Sequence, residues 1–208
     1  MTFFPKIVRC EKYTVKECGS YHGYAYYKDQ IHIDCQYRCV YCDIKLDECG
    51  HEGFALDHFR PQEKFPDLKN DPKNLVVACS KCNRSKSSHW PVDIKLEVTY
   101  LDEMGFIDPF EHNRLDFFCV ELSGVLVPKR SPSKYLIKLL GLNRPSRVVV
   151  RRNRQLQRRI DDLIVSAEAI INEVIQSGEM TESSWRKLES AKVAISGVRQ
   201  LRQEISNT

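Results

Sequence analysis

Two pairs of cysteines stand at the spacing of a metal site, Cys39-Val40-Tyr41-Cys42 and Cys79-Ser80-Lys81-Cys82. Two thiolates separated by two residues on a tight turn can ligate one ion, and two such turns supply a tetrahedral four-sulfur site. One pair alone says little. Two pairs about forty residues apart point to a structural Zn2+. Competing ligand sets are weaker. Cys35, Cys39 and Cys42 also match the three-thiolate pattern by which radical S-adenosylmethionine enzymes hold an iron–sulfur cluster. That reading leaves Cys79 and Cys82 unexplained, and the chain lacks the alternating strand–helix pattern of a parallel barrel. Cys49 and His51 could join Cys39 and Cys42, but the later pair would again be stranded. Cys10, Cys18 and Cys119 show no ligand spacing.

Between the pairs lie Phe54-Ala55-Leu56-Asp57-His58-Phe59-Arg60-Pro61 and then Asp71-Pro72-Lys73-Asn74-Leu75, and the segment closes on Cys82-Asn83-Arg84-Ser85-Lys86 and Trp90-Pro91. Over residues 39 to 91 this resembles the HNH endonuclease family. There an Asp-His pair, a mid-loop Asn and a Cys-Asn-x-x-Lys end sit inside a zinc-clamped ββα unit. The resemblance is closest to the bacterial branch that includes the nuclease component of Septu-type anti-phage systems, some of whose members work beside an ATPase. Leu140-Gly141-Leu142-Asn143-Arg144-Pro145 also looks like that branch.

The resemblance implies a metal-dependent endonuclease cutting nucleic acid, DNA in the first place, and a role in anti-phage defence with an ATPase partner. It carries over His58 as general base, Asp57 and Asn83 as ligands of a catalytic Mg2+ or Mn2+, and Asn74 as the residue that fixes the loop through side-chain to backbone hydrogen bonds. These roles make chemical sense. A phosphodiester transition state gathers charge that a divalent cation stabilises. A carboxylate is a hard ligand for such an ion, and imidazole accepts a proton from water near neutral pH. Adjacent strand residues face opposite sides, so a bulged or twisted strand end is expected to turn Asp57 and His58 to one site. Asn83 stands where the family name implies a histidine; asparagine occurs there in other members, and its amide oxygen favours harder ions. Arg60, Arg84 and Lys86 are candidates for phosphate contacts, which position a backbone without reading its sequence. A zinc-ribbon module that binds nucleic acid without cutting it is the alternative, but it gives no reason for Asp57, His58 and Asn83 to coincide.

The elements that must position these residues are expected to form an α+β fold, a zinc-clamped ββα core with a mostly helical C-terminal region. Residues 1–34, rich in Tyr, Lys and Cys, form a segment packing on the core; residues 35–92 are the core; residues 93–208 hold short strands and then a helical hairpin. Asp108-Pro109 and Ser123-Gly124 break the short strands. Lys134 to Leu142 suits a short helix, and Pro145 can open the next one. Leu156, Ile160, Leu163, Ile164, Ala167, Ile171 and Val174 make one helical stripe, and Trp185, Leu188, Ala191, Ile195, Val198 and Ile205 make another. Gly178 is expected to end the first helix and Thr181 to cap the second.

The 208 residues carry a net charge of +4, and 42% are hydrophobic, so the chain can bury a core and is not disordered by composition. Arg144, Arg147, Arg151, Arg152, Arg154, Arg158 and Arg159 crowd one stretch. Clustered cations of this kind are rewarded by polyanions through counterion release, and Arg151, Arg152, Arg158 and Arg159 are the candidates to hold substrate. The first residues carry no apolar run of a signal peptide and no stretch reads as a membrane span. A cytoplasmic protein is expected, and nine cysteines in a reducing compartment point to metal rather than disulfides.

Overall fold

The computed structural model describes residues 3–206. The chain divides into two compact units. One holds the residues up to Glu121 together with Val125–Val148; the other holds Leu122–Gly124 and the residues from Val149 onward.

The first unit is built around a two-stranded antiparallel sheet. Strand β1 (Phe54–His58) pairs with β2 (Leu75–Cys79) in an unbroken register that sets Asp57 opposite Val76 and His58 opposite Leu75. Every residue of β2 is buried, whereas β1 is half-buried except at Asp57. That difference follows from sequence. Leu75-Val76-Val77-Ala78 is a continuous apolar run, as expected of a strand covered on both faces. Helix α1 (Lys28–Asp34) packs against β2, and helix α2 (Ser80–Lys86) packs against both strands. Strand β2 passes into α2 without a linker, because Cys79 is extended (φ −68°, ψ 151°) and Ser80 is already helical. The class is therefore α+β, with a ββα unit at its centre.

The loop from β1 to β2 is tied by Asn74. Its Oδ1 accepts from Arg60 N–H at 2.9 Å, and its Nδ2 donates to Arg60 O at 2.9 Å and Leu68 O at 3.3 Å. The rest of the unit adds the short pairs β3 (Tyr100–Leu101) with β4 (Met104–Gly105) and β5 (Phe118–Val120) with β6 (Leu126–Pro128), then helix α3 (Ser133–Leu139). An aromatic floor underlies the sheet end: Trp90 stacks on Phe106 at 5.7 Å and meets Phe59 edge-on at 5.8 Å.

In the second unit, helix α4 (Pro145–Ser177, whose first turn belongs to the first unit) and helix α5 (Glu182–Ser206) share a core of Leu156, Ile160, Val198 and Leu201, flanked by Leu163, Ile164 and Ile205. Gly178, at φ +65°, stands just beyond α4. Thr181 Oγ1 accepts from Ser184 N–H at 3.2 Å, an N-cap at the start of α5. The second stripe is narrower than its sequence spacing suggests: Trp185 is 62% and Ile195 41% exposed. Among the described residues no helix is long and apolar enough to cross a membrane.

Candidate active site and metal cluster

The first cysteine pair is shaped by its turn. Cys39 N–H donates to Ile44 O at 2.9 Å and Asp43 N–H to Cys39 O at 2.9 Å. Asp43 takes φ +63° and is held by Arg38 at 3.2 Å. The turn is moored to the sheet by Val40 N–H donating to Val77 O at 3.0 Å, and Arg114 donates to Val40 O at 2.8 Å and to Pro5 O at 2.9 Å. Nothing local in the sequence marks Arg114, since its partner lies 74 residues away. The second pair comes from the β2–α2 junction.

The four thiols meet. Cys39, Cys42, Cys79 and Cys82 are buried, with all four sulfurs within 4.8 Å of one another and Cys42 and Cys79 3.7 Å apart. A tetrahedron with metal–sulfur bonds of about 2.3 Å has edges of about 3.8 Å, so the cluster has the dimensions of a four-sulfur zinc site. Cys35 is not part of it. That thiol lies outside the group of four sulfurs and is buried, which pushes it up to about 11.

Two of the clustered arginines face this sulfur group. Arg147 donates from Nε to Cys42 Sγ and from Nη2 to Cys79 Sγ, both at 3.4 Å. Arg144 Nη2 lies 3.4 Å from Cys79 Sγ and 3.6 Å from Cys82 Sγ. Glu52 pairs with Arg147 at short range and with Arg144 at 3.9 Å, and its other oxygen accepts from Lys81 N–H at 3.1 Å. Four thiolates holding a dication would carry two surplus negative charges, and the two guanidinium groups, which also pair with Glu52, would offset part of that charge.

Towards the other end of the strand pair, Asp57, His58 and Asn83 line one cleft of about 260 Å³, with Tyr24, Pro61 and Glu63 on its walls. No bulge is involved, because His58 is the last residue of a regular strand. His58 Nε2 lies 2.8 Å from Lys69 O, and its ring meets Tyr24 edge-on at 5.0 Å. Asp57 is 7% exposed. Its Oδ2 accepts from the Tyr41 hydroxyl at 2.7 Å and its Oδ1 from Lys86 Nζ at 3.1 Å. Burial pushes the Asp57 carboxyl up, opposed by the Lys86 charge, and pushes the Lys86 ammonium down, opposed by Asp57. Burial, and then the Asp57 charge, raise the Tyr41 phenol well above its usual range, so its hydroxyl is the donor.

The cations singled out from sequence divide into exposed, half-buried and fully buried groups. Arg84, Arg158 and Arg159 are exposed. Lys86, expected at a phosphate, is instead 0% exposed, its ammonium turned to Asp57 and to His58 O at 2.7 Å. Arg151, likewise expected on substrate, is 1% exposed and donates from Nε to Gly124 O at 2.6 Å. In both cases the long apolar stem has gone into the core and the head group donates to an internal acceptor. Arg152 lies 3.7 Å from Glu204. Arg60 lies over Trp90 at 5.2 Å and Phe65 at 5.3 Å and donates to Glu97 O. The sequence reading missed Tyr41, Arg144 and Arg147 as parts of these sites. The position of Tyr41 between two ligands was the one available hint.

Comparison with known proteins agrees on the central segment. Residues 39–89 match the family model described as HNH endonuclease. The chain is 29% identical over 112 residues to the Septu protein PtuB of Bacillus thuringiensis, covering 54% of this chain and 39% of that protein. It is 27% identical over 134 residues to the Septu protein PtuA of Bacillus mycoides (strain KBAB4), covering 55% of this chain and 18% of that protein. The chain thus spans well under two thirds of the length of either relative.

Proposed function

We propose that the HNH endonuclease domain borne by residues 39–89 hydrolyses phosphodiester bonds of nucleic acid, DNA in the first place, with a divalent metal at Asp57 and Asn83 and His58 as general base. The observation that supports this most directly is the shared cleft of Asp57, His58 and Asn83. Its donors suit Mg2+ or Mn2+: a carboxylate, an amide oxygen, and room for water around a hard ion. Bound there, the metal would stabilise charge on the phosphate and on the leaving oxygen.

The residues of the chain do the rest. A carbonyl oxygen only accepts, so the contact with Lys69 O puts the ring proton of neutral His58 on Nε2 and leaves the lone pair at Nδ1. Nδ1 is then the atom that takes a proton from the attacking water. The Tyr24 ring restrains the imidazole. Asn74 fixes the loop that carries Lys69. Arg84, Arg158 and Arg159 supply exposed cations for the substrate backbone. Cys39, Cys42, Cys79 and Cys82 would hold a structural Zn2+, for which the cluster has the right size.

In this reading residues 35–92 are the working core, residues 1–34 pack on it and residues 93–208 carry the short strands and the helical hairpin. The matches to two Septu proteins support a place in a Septu-type anti-phage system, and the proposal extends to an ATPase partner and a cytoplasmic setting.

The test is plasmid nicking with Mg2+, Mn2+ or EDTA. His58→Ala should lose at least ~100-fold in rate, the scale of a positioned general base, while zinc content and fold persist. Asn83→Ala and Asp57→Asn should lose activity by weakening the metal, so high Mn2+ should restore them in part. Asp57→Asn is preferred to alanine because its amide oxygen can still accept from the buried Lys86 ammonium. Normal cleavage by the His58 variant, or equal Mn2+ rescue of all three, would overturn these roles. Binding of nucleic acid without any cleavage would favour the zinc-ribbon alternative.

A further inference from the structure

We propose that Tyr41 and Lys86 are positioning residues that hold the Asp57 carboxylate in place for a divalent cation, each delivered to it by one of the two cysteine turns. The inference rests on the nuclease reading above and deepens it.

Tyr41 lies between Cys39 and Cys42, and its hydroxyl donates to Asp57 Oδ2 at 2.7 Å. Lys86 lies one turn beyond Cys82 on α2, and its ammonium donates to Asp57 Oδ1 at 3.1 Å. Each carboxylate oxygen therefore receives one donor from inside the protein. A carboxylate has about four lone-pair sites, so each oxygen can accept once more, and Asp57 also lines the cleft. Lys86 and Tyr41 are 0% and 7% exposed and neither lines that cleft. They act only through Asp57 and the strand end that carries His58.

Lys86 does a second thing. The same ammonium donates to His58 O at 2.7 Å, so one cation fixes both the carboxylate and the strand end that carries the base. The sulfur cluster anchors the donors. Moving Cys39 and Cys42 moves Tyr41; moving Cys79 and Cys82 moves the start of α2. The four-cysteine site thus sets the geometry of the catalytic carboxylate as well as the stability of the fold.

The discriminating variant is Tyr41→Phe, which removes one hydroxyl and keeps the ring against Phe106. Lys86→Met would also unpair a buried carboxylate and lose stability, so it is the poorer probe. Mn2+ binding to the zinc-loaded full chain would be followed by electron paramagnetic resonance without nucleic acid, beside zinc content, thermal midpoint and Mn2+ titrations of cleavage. Partners of metal ligands typically contribute about 10- to 100-fold in affinity. Tyr41→Phe should raise the Mn2+ Kd by about that factor with zinc content unchanged, and cleavage should return as Mn2+ is raised. An unchanged Mn2+ Kd, with or without a fall in thermal midpoint, would show a packing role only and overturn the inference. If the unaltered chain bound Mn2+ no better than Asp57→Asn, the metal reading itself would fail, without reference to Tyr41, and the inference with it.

Discussion

Replacing Arg147 by methionine should loosen the sulfur cluster as much as the fold around it. The side chain is 4% exposed. Methionine keeps an apolar stem but loses two N–H···S contacts at 3.4 Å and the pairing with Glu52. Hydrogen bonds to charged groups contribute about 1.5–3 kcal/mol each, and contacts of this length to sulfur take the lower end. Breaking a buried ion pair costs about 3–5 kcal/mol. Glu52 is 12% exposed and would keep Lys81 N–H and Arg144, so that contribution is smaller here. Because these contributions overlap, the total is about 3 kcal/mol. For a chain of this size the melting midpoint falls about 2–4 °C per kcal/mol, giving roughly 6–12 °C. Zinc affinity should drop about 10- to 100-fold, the usual effect of losing a partner to metal ligands. Thermal denaturation of the zinc-loaded chain and zinc release to a competing chromophoric chelator measure the two effects. Arg147→Lys should recover less than half, because an ammonium cannot reach two sulfurs and a carboxylate with one fixed fork. Arg158→Met is the control, since Arg158 is exposed on the same helix. If Arg147→Met matched that control in both assays, charge compensation at the cluster would be wrong.

Two further outcomes follow from the same geometry. Lys86→Met should cost about 3–5 kcal/mol through the uncompensated Asp57 charge, and Lys86→Met combined with Asp57→Asn should lose less than Lys86→Met alone; denaturant titration decides, and a larger loss in the double variant would refute a true ion pair. Stripping zinc with a strong chelator should unfold the ββα unit and red-shift Trp90, which is 3% exposed, in a Trp185→Phe background; the α4–α5 core contains no cysteine and should keep its helical signal, and an unshifted Trp90 would argue against a structural metal.

Much of the site was legible because its signals are local. A Cys-x-x-Cys turn carries its ligand spacing within four residues, and the Asp57-His58 and Cys82-Asn83 dipeptides stand in a fixed order between and within the two pairs. The helix boundaries at Pro145, Gly178 and Thr181 were legible for the same reason, since caps and breakers act on the backbone beside them. The helical stripes were legible in period but not in width, and Trp185 shows why. Periodicity names a face; only packing decides how far round the helix burial extends.

What sequence alone left open was the destination of each charge. A run of arginines announces positive potential, but Coulomb energy depends on which groups the fold brings within a few ångströms. Arg144 and Arg147 reach sulfurs 62 to 105 residues away, Arg151 turns to a buried carbonyl, and Lys86 closes on an aspartate 29 residues back. Arg158 and Arg159, in the same run, remain in solvent. The residue types and their spacing determined that this chain could hold one soft-ligand metal and present an acid–imidazole pair. The tertiary structure decided which cations stabilise those groups and which stay in solvent, because a charged group taken out of water must find a counter-charge or hydrogen-bond acceptors inside the fold.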